Sequence, residues 1–404
     1  MLSRNLATFV RAVNRDGWRV ATQKAVSRLA AEMPYPAHRK SDAIGSLEFI
    51  LGEEQGFGLK LTDENVPYGS MTWLMPDFTA SSGGHINIAR MIRLLKERGF
   101  PFQHVVIMEP HRWRSDEEAQ AAFNAAFGDC GISLSLGVRS IEPCQFLVAT
   151  GWQTAYWVAK YRDAIHHIYF VQDFEPAFFS SGSWSAIAEG TYKLGLTAVT
   201  AGSWLAEKLN REYGMRTFPF SFSYEHDIYK PYPKRSSDTK HIFFYARPET
   251  PRRCFELGIM SLSRVCRSRP NVAAILSGGE LRDYHIPFHH LNTGSLAIAE
   301  LPDLYSQCDV ALVISASNLS LLPMEVAACG CPLVINRGPH SEWLFSEEEA
   351  FYCDLNPDSI VSSLNEVLDR PEEASLRANA AMQRAQQSSW GHEADKVASF
   401  LRTL

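Results

Sequence analysis

Two rhythms of apolar residues alternate along most of this chain. Short continuous runs rich in Val, Ile, Leu and Phe recur at residues 71–75, 104–108, 146–150, 168–172 and 197–200, and again at 241–246, from 273, at 309–314 and at 332–335. Between them lie stretches whose apolar positions return every three or four residues, such as 85–98, the segment from about 252 and the one opening at Pro323. A short run without polar alternation predicts a strand covered on both faces, and a helical stretch between two such runs predicts a crossover joining parallel strands. The chain therefore reads as α/β, with two doubly wound parallel sheets in succession. Its 404 residues exceed what one core ordinarily supports, which fits two domains. The first spans 1–225, including a basic N-terminal extension. Residues 226–240 lose the hydrophobic period and gain Pro, Ser and charge, as a linker does. The second domain spans 241–385, and a last helical segment occupies 386–404.

The most informative unit is residues 308–336, CDVALVISASNLSLLPMEVAACGCPLVIN, which reads as strand, polar loop, helix and strand. Its loop, holding Ser317, Ser320 and Leu321, falls at the carboxyl end of a strand and the amino end of a helix, where open α/β sheets bind anionic ligands. Glu325 lies one turn into that helix, either facing the loop's ligand or serving as an acid favoured by the helix dipole.

Three more stretches carry chemistry. TASSGGHIN places Gly83, Gly84 and His85 before a helix, and paired glycines let backbone N–H groups approach a ligand closely. VQDFEP ends a strand with Asp173 and Glu175, where a group orienting an acceptor hydroxyl belongs; the same pair can also be a hydrolase's carboxylates or plain turn acids. In RPETPRR, Arg247 stands at a strand end, with Arg252 and Arg253 at the start of the expected helix. The dipole disfavours cations there, so the cluster needs an anionic counterpart such as a nucleoside diphosphate. Further on, SGGE contains Gly278 and NTG contains Thr293.

A net charge of −6 argues against binding nucleic acid by overall charge. The eight cysteines contain no CxxC pair, and several fall in apolar runs, as buried free thiols do in a cytoplasmic protein. No apolar stretch reads as a membrane span. Residues 1–40 are basic, with apolar positions at helical spacing. Such a helix can contact the inner face of an anionic membrane peripherally, or pack on its own domain.

Residues 317–336 resemble the donor-site signature of the retaining family-4 glycosyltransferases, which have the GT-B fold of two Rossmann-like domains facing across a cleft. The resemblance extends over residues 71–404 and is nearest to the WsaF-type rhamnosyltransferases. It implies a nucleotide-sugar donor, with Glu325 on the ribose and Gly83, Gly84 and His85 beside the donor phosphate and acceptor. It also places Arg247 and Arg253 on the family's phosphate-binding Arg and Lys, and Gly278 and Thr293 near the donor, the latter by the base. Ser317 stands where the family has a sugar-binding Glu, Ala246 where it has Gly, and Cys254 where it has the Gly after the Lys. The implied reaction is transfer of L-rhamnose from dTDP-L-rhamnose to a glycan or lipid-linked glycan in bacterial surface polysaccharide synthesis, with the last helix crossing back to the first domain. No D-x-D occurs in the chain, so no metal cofactor is expected. A sugar-nucleotide epimerase, a glycoside hydrolase relying on Asp173 and Glu175, and a non-catalytic nucleotide-sugar-binding subunit are the alternatives.

Overall fold

The computed structural model describes residues 50, 66–80, 82–108 and 112–404. The basic segment 1–40, and with it the expected membrane contact, lies outside the described residues.

Seven strands form the first sheet: β1 (Ser70–Met75), β2 (Phe102–Ile107), β3 (Ser133–Leu136), β4 (Cys144–Ala149), β5 (Ala164–Val171), β6 (Thr197–Ala201) and β7 (Thr217–Phe220), in the order β3-β2-β1-β4-β5-β6-β7. Six form the second: β8 (Lys240–Tyr245), β9 (Val272–Ser277), β10 (His290–Gly294), β11 (Val310–Val313), β12 (Leu333–Asn336) and β13 (Phe351–Cys353), in the order β10-β9-β8-β11-β12-β13. Every pairing is parallel. Strands β1, β9, β11 and β12 are buried along their whole length, as helices on both sheet faces require. The strand order reverses between β1 and β4 and between β8 and β11, so loops there diverge and leave a crevice above the carboxyl ends.

The periodicity does not reveal β3, β7, β10 or β13. All are edge strands with a neighbour on one side only, so their sequences SLSL, TFPF, HLNTG and FYC need no continuous apolar run. Pro219 is tolerated in β7 for the same reason.

The expected helix start near Arg252 is corrected. Pro251–Arg253 is a separate 3-10 turn, Cys254 takes a left-handed φ of 54°, and the helix proper is Phe255–Ser268. Both arginines therefore stand off the helix end, away from the dipole that would disfavour them. All eight cysteines are buried and unpaired.

The terminal helix Trp390–Leu401 packs on the first sheet's domain. Phe400 stacks on Phe218 of β7 at 4.5 Å, Arg98 pairs with Asp395 at 2.6 Å, and Ser221 N donates to Glu393 at 2.8 Å. Arg90 lies over the Trp390 ring at 4.4 Å and pairs with Glu225 at 2.6 Å. Among the described residues no helix is long and apolar enough to cross a membrane.

Candidate active site

The loop after β11 is held from several sides. Ser315 N donates to Asn336 at the end of β12 (2.8 Å), and Ala316 N to the Arg252 carbonyl (2.7 Å). Ser320 adopts a left-handed φ of 68°, with its N–H reaching the Asn318 side chain at 3.3 Å. The buried Arg253 guanidinium donates to the Asn318 and Leu319 carbonyls at 3.0 and 3.2 Å. Burial pulls the Arg253 pKa down to about 10, with Arg252 adding repulsion, so the group is still a cation at neutral pH.

This loop meets the first domain at Asp173, just past β5. Ser317 Oγ donates to one carboxylate oxygen at 3.0 Å and Asn318 N to the other at 2.9 Å. Asn318 Nδ2 also donates to the Gln172 and Ala201 carbonyls at 3.0 and 3.2 Å. Arg252 Nε sits 3.3 Å from Asp173, off the line of a hydrogen bond, and is buried without a hydrogen-bond partner. Its guanidinium covers the Phe178 ring at 4.6 Å. Asp173, Ser317, Arg252 and Arg253, far apart in sequence, thus form one cluster where the two domains touch.

Around them opens a cleft of about 480 Å³, walled by Ser82 to His85, Thr150 to Gln153, Gln172, Asp173, Glu175, Phe178, Phe179, Arg252, Arg253, Asn318, Ser320 and Leu321 among others. Gly83 and Gly84 open the helix Gly83–Lys96, capped by Ser82, and Gln172 donates to the Gly84 carbonyl at 3.1 Å. His85 Nδ1 accepts the Thr79 N–H at 3.0 Å, which leaves Nε2 to carry the ring proton. Burial lowers the His85 pKa, keeping the ring neutral. Glu175 also lines the cleft, but its oxygens accept from Trp152 N at 2.7 Å and Tyr169 Oη at 2.8 Å. Burial pushes its pKa up to about 7 against those bonds.

Ser317, turned to Asp173, and four further expected residues stand apart from the cleft walls. Arg247 donates to Glu249 at 2.7 Å and Tyr245 Oη at 3.1 Å. Gly278 turns with φ 102° beneath Tyr245, where an added Cβ would come within 2.3 Å of the ring. Thr293 belongs to edge strand β10, its hydroxyl donating to the Leu276 carbonyl at 3.3 Å. Glu325 lies in the first turn of Leu322–Ala328, within reach of the Tyr229 hydroxyl and near Arg90, and burial raises its pKa to about 7. Gly278 and Thr293 remain on the carboxyl side of the second sheet, the edge that faces the crevice.

Several wall residues have no distinctive local signal, among them Gln172, Asn318, Phe178 and Phe179. Thr150 to Gln153 follow β4 with a strand, glycine, helix pattern like that of the Gly83 loop, which is the sequence trace that marks them.

Residues 240–365 match the family model described as WsaF, C-terminal domain. The whole described architecture superposes on HepE from Anabaena, solved with UDP and glucose, with a TM-score of 0.65, 16% identity, and coverage of 83% of this chain and 100% of that one. The chain has the GT-B fold, and over residues 240–365 it is similar to the C-terminal domain of WsaF. Sucrose-phosphate synthase from Thermosynechococcus elongatus shows the same fold, with a TM-score of 0.63, 12% identity, and coverage of 83% and 98%. In sequence the chain is 30% identical over 337 residues to the O-antigen biosynthesis protein RfbC of Myxococcus xanthus, covering 81% of this chain. It spans about a quarter of that relative's length, 26%. In GT-B terms, the Gly83 loop belongs to the N-terminal domain and the Arg252 turn to the C-terminal one.

Proposed function

We propose that this GT-B protein is a glycosyltransferase that moves a sugar from a nucleotide donor to a glycan acceptor in surface polysaccharide synthesis. The observation that carries the reading is the pair Arg252 and Arg253 beside the Ser315–Leu321 loop, in the cleft that the Gly83–Gly84 helix start also lines. Arg252 is paired only loosely with Asp173, at 3.3 Å, and its buried Nε has no hydrogen-bond partner, so the guanidinium can take a further anion. A diphosphate between these guanidinium groups and the backbone N–H groups of the opposing helix would have the negative charge of its leaving group neutralised as the glycosidic bond breaks. The neutral His85, with its proton on Nε2, is suited to hydrogen-bond a sugar or phosphate oxygen. The UDP and glucose named with HepE, and the O-antigen role named for RfbC, support the choice of nucleotide sugar and of polysaccharide product.

The donor is proposed to be dTDP-L-rhamnose, transferred with retention at the anomeric carbon. Ser317 supports a deoxysugar, because its short hydroxyl is committed to Asp173 where the related family extends a carboxylate to the donor sugar. Chemistry without a metal follows from the missing D-x-D pattern, the arginines taking the place of a divalent cation. The test is melting temperature across UDP, GDP, dTDP and their sugar conjugates, followed by product analysis with the best donor. Free ligand at about 100 times its Kd stabilises a binding protein by about 2.7 kcal/mol, a readily measured shift. Stabilisation by dTDP-rhamnose, with a product that keeps the donor's anomeric configuration, is expected. A protein indifferent to every nucleotide would end the proposal.

A further inference from the structure

The cleft has a second character on its N-terminal-domain side. Trp152 opens the helix after β4, Phe178 and Phe179 end the turn after Asp173, and Trp184 lies near the start of helix Ser183–Gly190. The rings of Trp152, Phe179 and Trp184 form one patch, with Trp152 meeting Phe179 at 6.0 Å and Trp184 at 5.8 Å, and Phe179 meeting Trp184 at 6.4 Å; Phe178 lines the cleft next to Phe179 in the chain. Trp184, outside the cleft walls but in contact with them, is 47% exposed and Phe178 38%, although each is a large apolar side chain, while Trp152 is buried. Phe178 is also the ring under Arg252, so the patch begins one contact from the cation assigned to the donor phosphates.

Polar groups are interleaved with these rings. Gln153 and Glu175 line the same wall, and Glu175 fixes Trp152 by accepting its backbone N–H at 2.7 Å. Aromatic faces carry partial negative charge and attract the weakly positive C–H face of a pyranose, whose hydroxyls then reach amide and carboxyl groups at the ring edges. A lipid tail would instead call for a closed, wholly apolar groove.

We propose that Phe178, Phe179 and Trp184 form a stacking platform for a neutral sugar ring of the acceptor glycan, with the buried Trp152 packed against it and Glu175 as a positioning residue that fixes Trp152. This rests on the glycosyltransferase reading and names the acceptor subsite within it. Stacking would hold the acceptor ring beside Arg252, next to the donor.

The experiment uses saturation-transfer NMR on the full chain, with the methyl glycosides of glucose, galactose, mannose and rhamnose as probes. Wild-type protein should transfer saturation to the ring C–H protons of at least one glycoside. Trp184→Ala should bind it roughly fivefold more weakly, Trp184→Phe should retain most of the affinity, and dTDP and UDP affinities should not change. No glycoside binding in the wild type, or binding that Trp184→Ala leaves intact, overturns the platform. So does farnesyl phosphate binding through Trp184 in place of sugars, which would make the patch a lipid seat. Loss of nucleotide binding in the wild type would instead overturn the donor reading, independently of the glycoside result.

Discussion

At the residue scale, the two adjacent arginines and Arg247 are set apart by their partners. Arg253 is spent on two loop carbonyls and lines the cleft, so Arg253→Ala removes both a cation and a brace. We expect kcat/KM to fall by about 2–4 kcal/mol in transition-state free energy, with weaker donor affinity, and Arg253→Lys to restore part of it. Arg252→Ala should cost catalysis comparably but stability less, because in the free protein its side chain has only a long ion pair to Asp173 and a ring contact where Arg253 has two hydrogen bonds. Arg247 must leave Glu249 to reach a phosphate; as a half-exposed ion pair its loss should change stability by no more than ~0.5 kcal/mol. Donor Kd and kcat on all three variants test this ranking, and an Arg247→Ala effect matching that of Arg253→Ala would show that Arg247 swings into the donor site. Asp173→Asn cannot accept both the Ser317 hydroxyl and the Asn318 N–H, so transfer should collapse and the melting temperature drop. Ser317→Ala removes one of the same bonds, and a double-mutant cycle should give a coupling on the order of 0.5–3 kcal/mol; additive effects would deny the contact.

At the element scale, loop ends carry the chemistry and strands only place it. The acids Glu175, buried after β5, and Glu325, half-buried in the first turn of the helix after β11, both have a pKa raised from 4.5 to about 7. Between those values the folded state keeps protons that the unfolded chain releases, so unfolding free energy should fall as pH rises from about 4.5 to 7. Urea unfolding at pH 5, 6 and 7 measures the slope, and Glu175→Gln should flatten it; a stability that climbs over this window would contradict the assignment. Periodicity exposed the interior strands and the helices between them but not the edge strands, because only an element buried on both faces must be apolar throughout. It also placed Arg252 and Arg253 on a helix, since nothing local announces that Cys254 adopts φ 54°.

At the scale of the whole molecule, the terminal helix Trp390–Leu401 ties the chain's end to its first sheet. Trp390→Ala should destabilise by roughly 3 kcal/mol through lost burial and the lost stack with Arg90. We expect its thermal unfolding to broaden or split, as the first sheet's domain loses its strap; a sharp, unshifted transition would argue against this role. If arginines rather than a metal neutralise the donor, EDTA should leave the transfer rate unchanged, whereas loss of rate reversed by magnesium or manganese would require a metal.

The sequence by itself determined the α/β class, the two successive parallel sheets and the loops that hold the chemistry. Those follow from local patterns: apolar runs, glycine pairs before helices, acids and arginines at strand ends. Only the tertiary structure decided which of these residues meet. Asp173 and Ser317 are 144 positions apart yet hydrogen-bonded, while Arg247, six positions before Arg253, stands outside the cleft walls. The physical reason is that a side chain's partner is set by how two domains dock and by a few backbone angles in the loops, and neither leaves a period in the sequence. The aromatic patch is the same case: Trp152, Phe179 and Trp184 come from separate loops and helices, and only packing brings them together.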